Sequence, residues 1–255
     1  MGYNFIPSSI LISSLLIQTA FSSIQDSKLS HSCTDTPKRN PTFNTNLNQV
    51  LTNLTHSAPP NYGFSTAYAS SGKYTDCVFG LALCRRDVPK DNCTACLSNA
   101  KDNITRDCPT SRRAAIWYDY CFLKFADYSF YGQIDTLNTY TMKSDENAPH
   151  PQKFYNKAIG LLRRLSNQTG DAEGMFAKGH VSFGNLAIYT MAQCTRDISK
   201  DDCRTCLGSA VDKLPGISII NKTGEVETIP LGGRSFTGSC FVRYEIKPFL
   251  ITNDD

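Results

Sequence analysis

The sequence predicts an α+β protein of two tandem, disulfide-stapled domains, each with two helices packed on an antiparallel β-sheet. Three observations point there. One stretch occurs twice: Cys84, Cys93, Cys96 and Leu97 recur as Cys194, Cys203, Cys206 and Leu207, so both copies read C-x8-C-x2-C-L. Arg86, Asp87, Lys90, Asp91 and Ala100 recur at the same offset as Arg196, Asp197, Lys200, Asp201 and Ala210, which marks a duplication. Apolar residues at helical spacing, followed by alternating ones, appear in the same order in both copies. Finally, 255 residues suit two domains with a modest core each, and eleven cysteines are unusual for a reducing compartment.

Residues 1–23 read as a secretory signal peptide. Ile6 to Ala20 is apolar apart from serines, Pro7, Gln18 and Thr19, with cleavage expected near Ser22 or Ser23. The alternative, a membrane anchor, needs about 20 apolar residues, and this run is shorter. The first domain is expected over 24–135. Phe43, Leu47, Val50, Leu51 and Leu54 predict a helix that Pro59 and Pro60 end. Tyr74 to Cys84 reads as one strand with Cys77, Phe79, Leu81 and Leu83 on one face. Asp91 then caps a second helix carrying Cys93, Cys96, Leu97, Ala100 and Ile104, closed by Cys108 and Pro109. The segment Ala114 to Phe125 supplies the last strands. A polar stretch near 132–146, without obvious core residues, joins the domains.

The second domain, 136–255, repeats the order. Phe154, Ala158, Leu161, Leu162 and Leu165 mirror the first helix, and Val181 to Cys194 reads as one strand. Asp201 to Leu214 forms the second helix, stopped by Pro215. A Gly-containing excursion from Gly216 to Gly233 precedes a last strand, Cys240 to Glu245.

A formal charge of +3 without basic clusters gives no support to a nucleic-acid surface. No stretch after residue 23 is long and apolar enough to span a membrane. Sequons begin at Asn53, Asn92, Asn103, Asn167 and Asn221; Asn92 abuts Cys93 and is the poorest candidate for a glycan. Metal is not expected, since each copy has a single C-x2-C and no finger or ribbon spacing. No cofactor is implied. The histidines His31, His56, His150 and His180 fall in no catalytic motif, there is no G-x-S-x-G, and a non-enzymatic protein is the expectation.

The cysteine spacing, the run Phe79-Gly-Leu-Ala-Leu-Cys84 and the end strand Cys240-Phe-Val-Arg-Tyr-Glu245 resemble the plant stress-antifungal domain typified by ginkbilobin. Two such domains behind a signal peptide resemble a cysteine-rich repeat secretory protein. That resemblance implies a secreted defence or stress role in the apoplast. It also implies the pairings Cys33–Cys108, Cys84–Cys93, Cys96–Cys121, Cys194–Cys203 and Cys206–Cys240, leaving Cys77 over. Cys77 is then either a buried thiol or an intermolecular bridge that makes a dimer. With both cysteines of Cys93-Thr-Ala-Cys96 paired elsewhere, a thioredoxin-like role is not expected.

Ginkbilobin resembles a mannose-binding lectin whose site uses Asn beside the first cysteine, Arg in the penultimate strand and Glu in the last. In the first domain the corresponding Thr34, Ala115 and Ala126 lose all three roles. In the second, Arg234 and Glu245 match, and no residue takes the Asn role. Carboxylate and guanidinium suit vicinal hydroxyls. The competing reading makes Arg234 and Glu245 a strand-to-strand ion pair or solvated charges. A mannose-type glycan of cell wall or fungus on the second domain is the first expectation. The alternative is a secreted protein or receptor ectodomain as partner, met through aromatics such as Tyr62, Tyr68, Tyr118, Tyr120 and Tyr128.

Overall fold

The computed structural model describes residues 26–34, 38–135, 138–220 and 224–251, so the expected signal peptide and Asn221 lie outside the described residues. The first domain runs β1 (Lys28–Cys33), α1 (Pro41–Ser57), β2 (Phe64–Ala69), β3 (Val78–Cys84), α2 (Lys90–Asp107), β4 (Ala114–Tyr118) and β5 (Cys121–Ala126). Its sheet is antiparallel with order β1-β4-β5-β3-β2. The second runs β6 (Thr139–Lys143), α3 (Pro151–Thr169), β7 (Phe176–Phe183), β8 (Leu186–Cys194), α4 (Lys200–Asp212), β9 (Ser218–Ile220), β10 (Glu225–Thr228), β11 (Gly233–Thr237) and β12 (Cys240–Glu245). Its main sheet has the matching order β6-β11-β12-β8-β7, and β9 and β10 form a separate hairpin.

Local chemistry sets the helix ends. Asn40 accepts from the Phe43 amide and Pro41 opens α1, while Ser199 accepts from the Asp202 amide at the start of α4. α2 has no side-chain cap: Pro89 stands at its N-cap, and Asp91 lies one residue inside the helix.

Beyond the cap of α2, the structure departs from the sequence expectations in five places. Tyr74 to Cys84 is not one strand: Tyr74–Asp76 is a short 3-10 turn, and Cys77 lies outside β3. The cause is an anchor to α1, since Asn40 Nδ2 donates to Asp76 Oδ1 at 2.8 Å and Asn46 Nδ2 to the Asp76 carbonyl at 2.8 Å. Val181 to Cys194 is two strands rather than one, because Gly184, at φ 59°, turns the chain between Phe183 and Leu186. The polar join contains β6, which pairs with β11 as an edge strand. β1, which ends at Cys33 and pairs with β4, is a strand that the expected order lacked. β2 is a strand that the expected order lacked; it pairs with β3.

Each sheet buries one face under its helices. Phe43, Val50, Leu54, Leu97, Ile104 and Leu123 centre the first core; Phe154, Leu162, Ile188, Leu207, Val242 and Tyr244 centre the second. The opposite faces pack on each other. Leu81, Leu83, Ala115, Trp117, Phe122, Ala126 and Phe130 meet Phe241 and Phe236 in a third apolar cluster. Phe122 stands edge-on to Phe241 with ring centroids 5.5 Å apart. The strand face of Phe79, Leu81 and Leu83 is therefore turned to the other domain.

Five disulfides pin these layers: Cys33–Cys108, Cys84–Cys93 and Cys96–Cys121 in the first domain, Cys194–Cys203 and Cys206–Cys240 in the second. Cys77 carries a free, buried thiol near the Tyr68 hydroxyl (3.6 Å), Ser70 Oγ (3.5 Å) and the Lys73 carbonyl (3.7 Å).

Candidate ligand site at the domain junction

Arg234 on β11 and Glu245 on β12 project from the sheet face that meets the first domain. Their nearest approach, Nη2 to Oε1, is 3.5 Å. Neither is left to the other. Arg234 Nη1 donates to Asp119 Oδ1 at 2.6 Å, and Asp119 belongs to the turn between β4 and β5 of the first domain. Arg243 Nε donates to Glu245 Oε1 at 3.1 Å and Arg243 Nη1 to Asp119 Oδ1 at 3.4 Å. Four charges thus form one closed set across the domain boundary, with side chains 14–21 % exposed.

Burial, and then the like charge of Arg234, lowers the Arg243 pKa to about 10. Its guanidinium lies 4.0 Å from the centroid of the Phe249 ring. Arg85 covers Tyr120 and Phe249 and donates to the Asp119 carbonyl at 3.3 Å.

This contact is one half of an approximate two-fold arrangement. Lys124 and Arg243 stand three residues after Cys121 and Cys240, and Phe130 and Phe249 nine residues after them. Lys124 Nζ lies 4.2 Å from the Phe130 centroid and donates to the Gly238 carbonyl of the other domain at 2.8 Å. Burial lowers the Lys124 pKa against the opposing pull of Asp135. The repeated pair Arg86 and Arg196 behaves likewise. Arg86 reaches Glu173 at 2.8 Å, and Arg196 donates to the Asn61 carbonyl at 2.8 Å, each crossing to the loop after the other domain's first helix. Trp117 Nε1 donates to the Thr237 carbonyl and Gln193 Nε2 to the Cys84 carbonyl.

The positions corresponding to Arg234 and Glu245 in the first domain, Ala115 and Ala126, are 0 % and 5 % exposed inside the interdomain cluster. The cavity beside the charged set, lined by Arg85, Trp117, Asp119, Gln193, Phe241 and Arg243, holds about 30 Å³. That is room for about two water molecules, and a hexose does not fit. Sequence reasoning missed Asp119 because it belongs to the other repeat; no spacing within the second domain points to it.

The remaining candidates fall elsewhere. Cys93 and Cys96 bond to different partners, and Cys96 and Cys121, which lie beside Asp26, are joined to each other and offer no thiolate. The four histidines sit on separate elements: β1, α1, the residue before α3, and β7. Asn53, Asn92 and Asn167 are exposed on helices, whereas Asn103 is half-buried and its amide donates to the Tyr118 hydroxyl. Of the tyrosines considered for an interface, Tyr62, Tyr68 and Tyr128 are exposed; Tyr118 and Tyr120 are buried by strand packing and present no ring to a partner.

Residues 30–128 and 140–247 each match the family described as "Salt stress response/antifungal". An "Antimicrobial ginkbilobin-2-like protein" of Castanea crenata is 39 % identical over 209 residues, covering 82 % of each chain. "Cysteine-rich repeat secretory protein 38" of Arabidopsis thaliana is 33 % identical over 96 % of this chain and 94 % of its own. The tandem DUF26 ectodomain of the Arabidopsis thaliana cysteine-rich receptor-like protein PDLP8 superposes with a TM-score of 0.69 at 24 % identity, over 86 % of this chain and 97 % of that one. Among the described residues, no helix is long and apolar enough to cross a membrane.

Proposed function

The chain belongs to the salt stress response/antifungal family of cysteine-rich repeat secretory proteins, and from that premise we propose that it works outside the plant cell as a non-enzymatic binding protein of defence or stress responses. The reading that leads is recognition of a secreted protein or receptor ectodomain. One observation carries it: the sheet faces holding the sugar-contacting positions of both copies are turned inward, and the Arg234 fork is committed to Asp119. A partner must then use the outer surface, where Tyr62, Tyr74 and Tyr128 stand 66, 83 and 37 % exposed.

The retained Arg234–Glu245 pair favours a second reading, a mannose-type glycan at the rim of the junction. For a sugar to use Arg234 it must displace Asp119, exchanging an ion pair with a carboxylate for a bond to an uncharged hydroxyl. Calorimetric titration of the oxidised protein with mannose and a mannan oligosaccharide separates the two. No heat is expected, whereas a dissociation constant near about 1 mM, lost in Arg234→Ala and Glu245→Ala, would install the lectin reading. Cross-linking in extracellular fluid should give adducts that a Tyr62→Ala/Tyr74→Ala variant loses. An antimicrobial outcome rests on the family description and the name of the Castanea relative, and growth inhibition of a fungus by the purified protein tests it.

A further inference from the structure

Each sheet has two edge strands, and the matching edges β2 and β7 are protected differently. An open edge offers unpaired backbone groups to other strands, and proteins guard it with charge or cover. On β7, Lys178 and His180 are exposed, and the helix beside that sheet carries exposed Arg164. β2 reads Phe64-Ser-Thr-Ala-Tyr-Ala69 and has no charge. Position 164 corresponds to Asn53, because Leu54 and Leu165 are matched core positions of α1 and α3.

Asn53 begins the sequon Asn53-Leu54-Thr55. It is exposed on α1. With His56, Ser57, Ser65, Thr66, Ala67 and Tyr68 it lines a shallow surface groove of about 580 Å³ between α1 and the β2 edge. Ser57 Oγ donates to Ser65 Oγ at 2.7 Å and floors it with hydroxyls. Tyr68 lies 52 % exposed on Phe79, ring centroids 4.6 Å apart, so its outer face is held as a platform.

We propose that an N-linked glycan on Asn53 lies in this groove, its first N-acetylglucosamine residues packed on Tyr68, and that it shields the β2 edge. Sugar rings present apolar C–H faces to aromatic rings and hydroxyls to groups such as Ser57, Ser65 and Thr66. The carbohydrate does for the first domain what Lys178 does for the second. The inference rests on export through a glycosylating route, and the test keeps the two apart.

The full chain, expressed through the secretory pathway of plant cells, is recovered from the medium and mapped by peptide mass spectrometry. Asn53 should carry a glycan. Hydrogen exchange at β2 should be about tenfold faster after enzymatic deglycosylation of the folded protein, with β7 unchanged, and light scattering should show self-association of that form. Tyr68→Ala, with the glycan in place, should accelerate β2 in the same way. Secreted protein occupied at Asn167 and bare at Asn53 overturns the proposal and leaves export standing. So does a β2 exchange rate indifferent to deglycosylation. Retention inside the cell overturns both.

Discussion

The first domain fastens its sheet to its helices with the Cys33–Cys108 bridge and with two arginines, half-buried Arg39 and buried Arg112. Arg39 donates to the Cys108 and Ser111 carbonyls, and Arg112 lies over Phe43 at 4.2 Å from the ring centroid. Among the described residues, the second domain has no counterpart of that bridge or of those two arginine contacts. There the excursion from Gly216 to Gly233 folds back as the β9–β10 hairpin, adding Val226, Ile229 and Leu231 to the core, with the Tyr244 hydroxyl on the Pro230 carbonyl at 3.0 Å. Losing a covalent link in one copy is offset by extra apolar burial, so the two repeats keep one topology with different sources of stability.

The largest test of that contrast is Cys33→Ser/Cys108→Ser. The bridge closes a span of 75 residues, so its loss should cost about 4 kcal/mol on the chain-entropy account. Hydrogen exchange resolved by domain should show the second domain opening first in the parent protein and the first domain opening first in the variant. If the second domain is already the slower to open in the parent, the hairpin and the interface more than replace the bridge.

Ile229→Ala should cost about 3 kcal/mol, a buried aliphatic truncation, and should speed exchange in α3 and β12 while leaving α1 alone. Equal acceleration of both domains would mean that they unfold as one unit. Asp119→Ala leaves Arg234 and Arg243 facing each other at the junction with only Glu245 between them. About 2 kcal/mol should be lost, discounted from a fully buried pair because the side chains keep some exposure. Denaturant melts at low and high salt check this, the deficit of the variant shrinking at high salt.

The smallest effect belongs to pH. Burial, partly offset by the Tyr120 amide, raises the Asp26 pKa to about 6. The folded protein therefore holds this proton more tightly than the unfolded chain does. The associated stability is fully present below about pH 4 and is lost as pH rises through about 6. Between those limits Tm should fall by about 3 °C, and Asp26→Asn should flatten that slope. An unchanged slope would assign the effect to another group.

The helices and the repeat were legible in the sequence because their signals are local: apolar spacing, prolines and a cysteine pattern that recurs. β1, β2 and β6 were not, because an edge strand needs backbone pairing and tolerates a sequence such as Phe64-Ser-Thr-Ala-Tyr-Ala69 with little alternation. β3 is apolar on both faces, so its composition does not say which face meets the helices and which the other domain. Arg234 and Glu245 could be picked out by counting from Cys240. Their commitment to Asp119 could not, since that contact spans 115 positions and exists only once two folded sheets meet.

The two-fold character of the junction has a further consequence in terms of dilution. Separate copies joined by matching faces must find each other, and their pairing weakens as concentration falls. Here residues 127–138 tether the faces, and a short connection holds them at an effective concentration on the order of millimolar. An interface that would come apart between free domains at low concentration keeps the same closed fraction at any dilution. The contact surface is thereby released from having to be strong, and the second copy can place charges at positions that the first fills with Ala115 and Ala126.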